Sequence, residues 1–376
     1  MYYNMRMEKL INYISCIEDT RDGFNLKHKL IDIIIITILA IMNGVTTWDG
    51  IALFGRMREK WLREFLELPN GIPSHDTFNR VFSLIDPIKL EDCLQRWVRE
   101  VFQMSPKGVI SIDGKSVKGS ASPGSHKYVH MISAWSHEAD LVLGQLKVDE
   151  KTNEIKAIPQ LLDNLDIEGS IITIDAMGCQ KDIVNKILEK KGDYIIALKG
   201  NQGKLKDEAI DTTKLTPASA YSSEIDCGHG RIEKRTVRVY RDIHTITGLW
   251  VGLSSVIRID STRYDKKKET EHTEVRYYIT SLKRVSAAKI GEYIRQHWDV
   301  ENKLHWCLDV SFGEDHSQKR AENAAENFSR AIRFVINSFR RYKKLINEKL
   351  SVKNMQFACA MDVEYMKKIF AAVFSV

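Results

Sequence analysis

Two short segments of this 376-residue chain bring an apolar run to an aspartate in the same way: Ile110-Ser111-Ile112-Asp113 and Ile172-Thr173-Ile174-Asp175. A carboxylate at the end of an apolar strand is costly to bury unless it is paired or binds a metal. Two of them on neighbouring strands repel, and a divalent cation relieves both problems. Mg²⁺ suits such a place, because it takes a few carboxylate oxygens and leaves positions open for water and phosphate. A third acid has to come from a helix beside those strands. The segment Ile294–Trp306 offers His297, Glu301 and His305 at i, i+4 and i+8, one face of a helix. Asp299 lies elsewhere on it, about 200° from Glu301 at roughly 100° per residue. The His-Glu-His stripe alone would also suit iron or zinc, or plain polar packing. The two aspartates favour oxygen ligation of Mg²⁺ or Mn²⁺.

The elements that must position these groups fall into three regions. Residues 1–105 read as helical. The apolar run Leu30–Met42 contains Asp32 and is too short to span a bilayer, so a buried helix is expected. Thr47–Leu66 follows at helical spacing. After the breaker Pro69-Asn70-Gly71, Ser74 is a candidate N-cap for a helix with Phe78, Val81, Phe82 and Ile85 inward. Asp76, Asn79, Arg80 and Ser83 would then face outward, as on a DNA-recognition helix or a purely structural one. Leu90–Phe102 supplies another helix. From residue 106 the period changes. Strands are expected at Gly108–Asp113, Lys127–Trp135, Leu141–Val148, Ser170–Asp175 and Asp193–Leu198, with helices at Asn153–Leu162 and Lys181–Lys190. That order describes a mixed α/β sheet with crossover connections. Residues 200–285 interrupt it as a β-rich insertion, with strands at Thr236–Tyr240, Trp250–Asp260 and Glu274–Leu282. Helical pattern resumes at Ser286, breaks near Phe312–Asp315 and runs to about Leu350, leaving 351–376 as a tail. In the last long helix Phe328, Ile332, Val335, Phe339, Tyr342 and Ile346 form a core stripe, which puts the arginines and lysines outward.

Composition sets the remaining bounds. At 43% hydrophobic and 28% charged residues the chain reads as a soluble globular protein. Met1–Leu10 carries Arg6, Glu8 and Lys9 and lacks the apolar core of a secretory signal. Six scattered cysteines without a CxxC pair argue against a disulfide framework or zinc ribbon and suggest the cytoplasm. Cys227 and His229 are half a metal site with nothing nearby to complete it. The formal net charge is +6, and Ser317–Lys349 alone holds nine Lys or Arg against three Glu. Such a tract suits either a polyanion or a solvated helix face.

The phrases ISIDGKSVKGS, HMISAWS, LVLGQLKVDEKTNEIKAIPQLL, ITIDAMGCQ, GDYIIALKGNQ, HGRIEKR and HWDVENKLHWCLDVSFGED, with GIPSHDTFNRVF near the N-terminus, resemble the H-repeat-associated family of DDE transposases, found also beside bacterial Rhs elements. The resemblance covers most of the chain. It implies an RNase-H-like mixed sheet with flanking helices, a β-rich insertion before the last catalytic helix, and a helical, DNA-binding N-terminal region. It further implies that Asp113, Asp175 and Glu301 hold two Mg²⁺ or Mn²⁺ ions for DNA cleavage and strand transfer, in a homo-oligomer that pairs two DNA ends. Many transposases with such an insertion carry Tyr-x-x-Arg-x-x-x-Glu-x6-Lys around the third acid. Here the corresponding positions are Ile294, His297 and Leu308, which puts the DNA-end geometry in doubt.

Candidate DNA contacts are Lys115 and Lys118 after the first acid and Lys199, Asn201 and Gln202 after a core strand. His229, Arg231, Lys234 and Arg235 open the insertion. His297, Trp298, Asn302, Lys303 and His305 surround Glu301, with Trp298 or Trp306 able to stack on a base. Three other readings stay open: a nuclease of the same core that never joins strands, a catalytically silent DNA-binding relic, and a metal-dependent oxidoreductase on His297, Glu301 and His305.

Overall fold

Leu30–Met42 folds as a helix, α2, with every side chain but Ile31 buried. It lies in a computed structural model that describes all residues except 1, 22–25, 103–106, 123, 126, 149–153, 229, 245, 247–249, 375 and 376. The Asp32 carboxylate inside α2 is satisfied by the Leu68 backbone N–H at 3.1 Å, and burial raises its pKa. Around α2 pack α1 (Tyr2–Ile14), α3 (Trp48–Leu62) and α4 (His75–Leu84), and α5 (Pro87–Phe102) packs on α1. Thr47 and Ser74 cap α3 and α4 by accepting from Gly50 N and Thr77 N. On α4, Asp76 and Arg80 face outward and Asn79 is half-buried. Ser83 does not follow: it is 7% exposed, its hydroxyl bonded to Arg80 O and its carbonyl to Asn323 N.

The sheet has nine strands in the order β3-β2-β1-β4-β5-β9-β8-β7-β6. They are β1 (Val109–Val117), β2 (Val129–Ser136), β3 (Leu141–Val148), β4 (Ile171–Ile174), β5 (Asp193–Leu198), β6 (Ala220–Gly228), β7 (Arg231–Tyr240), β8 (Ser255–Asp265) and β9 (Thr270–Thr280). β1, β4 and β5 run parallel and the other pairings are antiparallel. One face is covered by α6 (Glu154–Asp163), α7 (Lys181–Glu189) and α8 (Gly203–Leu215). α9 (Ala287–His297) covers the other, its Ala287, Ile290 and Ile294 packing on Val109, Ile171, Val237 and Ile257.

Three differences from the sequence reading concern this sheet. β1 does not stop at Asp113 but continues to Val117, because β2 pairs with its full length. The insertion adds β6 and α8, both polar enough to hide their pattern, and it joins the core sheet through β5–β9. Its strands are also displaced from the expected ranges, since β7 and β8 extend into exposed, charged ends.

The long helix α11 (Ala324–Ile346) buries its apolar stripe as expected, except that Ile346 lies at the exposed end. The expectation that its cations face outward fails at two positions. Arg330 and Arg333 are 2% and 1% exposed, because Glu91 and Glu314 from other elements and Glu326 from the same helix meet them inside. Arg330 pairs with Glu91 and Glu326 at 2.5 Å each, and Arg333 pairs with Glu314 at 2.7 Å. The last residues form α12 (Val352–Met361) and α13 (Val363–Val373), whose Met355, Met366, Ile369 and Phe370 complete the N-terminal helical core. Packing of α1 against α5 also joins Cys16 to Cys93 in a disulfide across 77 residues, which cysteine spacing did not suggest. No helix among the described residues is long and apolar enough to cross a membrane.

Candidate active site

Strand register brings the two aspartates together. The parallel ladder between β1 and β4 ends at Ile112 opposite Ile174, so Asp113 and Asp175 are the next residue on each strand. By strand alternation both continue the row Val109, Ser111 and Ile171, Thr173, on the face that α9 covers. Beyond the ladder the chains diverge. β1 goes on as a hairpin arm, while Asp175 caps a short 3₁₀ turn, Ala176–Gly178, by accepting from Met177 N at 2.9 Å. Asp113 accepts from Gly114 N at 2.9 Å. Gly114 has no room for a side chain: a Cβ there would lie 2.5 Å from both Glu154 Oε1 and His130 Nε2. That buried His130–Glu154 pair, with Ser116 on the other imidazole nitrogen at 2.9 Å, props β1 from behind.

The helix bearing the third acid starts at Ser286, which caps α9 by accepting from Lys289 N. It widens to a π-helical turn at Val300–His305 and returns to α geometry in α10 (Trp306–Val310). Single π turns are frequent at functional sites. This one interrupts the regular α spacing assumed for His297, Glu301 and His305, yet all three still border the aspartates. His297 Nδ1 lies 3.1 Å from Thr173 Oγ1, and His305 Nδ1 lies 3.7 Å from Asp113 Oδ2. Burial lowers the two imidazoles to about 4 and about 3, so both are neutral near pH 7. Val300, Leu304, Cys307 and Leu308 anchor the helix in the helical core. Asp299 is turned away, 2.7 Å from His137 and 2.9 Å from Lys303.

Asp113, Asp175 and Glu301 line one cavity of about 300 Å³. Burial raises the Asp113 carboxyl to about 7, and the charges of Glu301, Asp175 and Glu154 push it the same way. The donor set is therefore one of hard oxygens under mutual repulsion, which suits a divalent cation in kind. Among the described residues, however, no three ligating side chains stand close enough to enclose an ion as placed.

The expected DNA contacts divide into several groups. Lys115 is 8% exposed and held by Asp309 and Asp315 at 2.8 Å and Glu314 at 3.7 Å, while Lys118 is held by Asp315 at 2.7 Å. Lys199 lines the cavity. Asn201 and Gln202 instead staple their turn to the Asp175 loop, donating to Ala176 O at 2.6 Å and Cys179 O at 2.8 Å. Arg235 faces an adjoining groove of about 600 Å³, shared with Trp298, Asn302 and Glu301. Lys234 lies on the opposite face of the ribbon by alternation, and Arg231 sits at the hairpin end, 3.8 Å from Asp265. His229 lies outside the described residues, and with it the half-site suggested with Cys227. Trp306 is exposed and lines neither the cavity nor the groove. Three lining residues escaped the sequence reading: Lys206, Glu274 and Arg276. Glu274 and Arg276 share a strand face at i, i+2, a signal that alternation offers. Lys206 sits on a helix without a clear apolar period.

Comparison with known proteins bears on this arrangement. The profile described as transposase DDE domain matches residues 104–338, and one described as DDE_Tnp_1-associated matches 11–98. The "H repeat-associated putative transposase YhhI" of Escherichia coli K12 is 41% identical over 378 residues, covering 98% of this chain and 99% of that protein. The "Putative transposase YncI" of Escherichia coli O157:H7 is 38% identical over 384 residues, covering 98% and 96%. A piggyBac transposase synaptic complex with hairpin DNA aligns at a TM-score of 0.46 and 13% identity, over 98% of this chain and 82% of that one. The domain match takes in Asp113, Asp175 and Glu301, and the whole-length relatives extend it to both ends: this chain belongs to the DDE transposase family.

Proposed function

We propose that this chain cuts phosphodiester bonds at the ends of a mobile DNA element and joins the freed 3′-hydroxyl to target DNA, on an RNase-H-like core. The observation that carries this reading is the levelling of Asp113 and Asp175 one residue past a parallel ladder, in one cavity with Glu301. These three carboxylates are the groups that would hold two Mg²⁺ or Mn²⁺ ions. Bound there, such ions would supply activation of an attacking hydroxyl and charge stabilisation at the leaving oxygen. The protein's own part is positional. Gly114 and the Asp175 turn fix the two aspartates, and the wide turn presents Glu301 to the cavity. The neutral His297 and His305 add no positive charge to compete for the carboxylates. We assign catalysis to residues 106–350, including the β-rich segment 200–285, and DNA contact to the helical region 1–105. The working form is a homo-oligomer holding two DNA ends.

The test is cleavage and joining on DNA taken from either flank of the coding sequence, with Mg²⁺. Asp113→Ala, Asp175→Ala and Glu301→Ala are each expected to abolish both steps while leaving DNA binding in place. Activity that survives all three substitutions overturns the reading. Cleavage without any joined product would favour a nuclease.

A further inference from the structure

The three acids share their cavity with three cations, Lys199, Lys206 and Arg276. Arg276 is committed: its guanidinium makes two bonds to Glu274, at 2.7 and 2.8 Å, and lies 5.0 Å over the Trp298 ring. The cations nearest in sequence to Asp113 and Glu301 are committed as well. Lys115 and Lys118 are held by Asp309, Glu314 and Asp315, Lys303 by Asp299, and Arg295 by Glu224. The Glu301 helix therefore gives the cavity no free positive charge, and its His297 and Leu308 are respectively neutral and fully buried. Among the described residues lining the cavity, only Lys199 and Lys206 have ammonium groups without a carboxylate within 4.0 Å. The Arg276 hydrogen bond holds the Glu274 carboxyl below its usual range, and Lys199 adds a smaller push the same way. Lys206 is half-buried in the first turns of α8 and reaches a wall otherwise built by β5 and β9.

A half-buried lysine that lines one cavity with three carboxylates, yet pairs with no carboxylate among the described residues, is placed for an anion that arrives with the substrate. We propose that Lys206 is a phosphate-positioning residue: its ammonium holds a non-bridging oxygen of the DNA backbone across the cavity from Asp113, Asp175 and Glu301, with Lys199 beside it. The role rests on the proposed function. A single ammonium point charge suits it, because it can follow a phosphate without fixed bidentate geometry. It also answers the sequence departure at His297 and Leu308. The cation that the helix does not carry is brought from α8, about a hundred residues earlier in the chain.

The experiment compares wild type, Lys206→Met, Lys206→Arg and Asp113→Asn on a fluorescein-labelled duplex from either flank of the coding sequence. Binding is titrated from 50 to 300 mM KCl, and cleavage is followed with Mg²⁺. Lys206→Met is expected to reduce the salt slope of log K by about one, as loss of one phosphate contact does. It should lower kcat/KM at least tenfold with most of the loss in KM, and Lys206→Arg should restore most of both. Asp113→Asn should abolish cleavage with the salt slope intact. A Lys206→Met protein with wild-type slope and wild-type KM overturns the proposal. If wild type binds but never cleaves, while Lys206→Met still loses one unit of slope, the catalytic reading fails and the phosphate contact stands.

Discussion

Replacing Arg333 by Met tests how the long helix α11 is locked to the Glu314–His316 turn. Arg333 and Glu314 are each 1% exposed and meet at 2.7 Å, and Glu314 also accepts from Ser329 Oγ at 2.7 Å. Arg333 and Lys115 hold the Glu314 carboxyl below its usual range against a large burial penalty. Methionine keeps much of the aliphatic volume but leaves Glu314 with a single cation, Lys115, at 3.7 Å. Breaking one side of a buried pair typically costs about 3–5 kcal/mol, because the remaining charge stays desolvated. Against a usual total of roughly 5–15 kcal/mol, that is a large share. Urea unfolding followed by far-ultraviolet circular dichroism should show a midpoint lowered by that amount divided by the measured slope. Glu314→Gln should also destabilise, and Arg333→Met with Glu314→Gln together should cost clearly less than the two singly, a coupling of about 2 kcal/mol or more. Strict additivity, or a loss below about 1 kcal/mol for Arg333→Met, would refute the view that this pair is a dry, mutually dependent lock.

Two further expectations concern particular residues. Gly114→Ala places a methyl 2.5 Å from the buried His130–Glu154 pair, so stability should fall by about 1–3 kcal/mol, read from the same urea titrations. Cleavage should fall with it, because the displaced backbone carries Asp113. Lys319 sits against Trp48 and Phe328 with its ammonium on Thr46 O at 2.6 Å, and burial pushes its pKa down to about 7. Between there and the ordinary lysine range the unfolded chain binds more protons than the folded one. Stability should therefore rise with pH across that window. Urea midpoints at pH 6.5 and 9 should separate for wild type and converge for Lys319→Met.

Much of the site could be read from the chain. The phrases around Asp113 and Asp175 are short and local, and a parallel ladder ending at both makes their proximity a matter of strand pairing alone. Helix caps at Thr47 and Ser74 are equally local, fixed within three residues. Period 3.6 located the buried faces of α4 and α11 for the same reason. Glu301 was legible as a residue on a helix beside those strands, but not the π turn that carries it, which no spacing rule signals.

What the sequence by itself determined was the family to which the chain belongs, together with a candidate set of three carboxylates on two strands and a helix. Only the tertiary structure decided which charges are available to a substrate. Arg330 and Arg333 read as outward cations and are buried, because Glu91 and Glu314 arrive from other elements, and Glu326 from one turn earlier on the same helix, to neutralise them. Lys115, two residues after the first acid in sequence, is consumed by Asp309, Glu314 and Asp315, while Lys206, distant and unmarked, lines the cavity with no carboxylate partner among the described residues. The physical reason is that secondary structure follows from nearest neighbours along the chain, whereas the fate of a charge depends on partners within a few ångströms in space. Those partners here lie as many as 239 residues away.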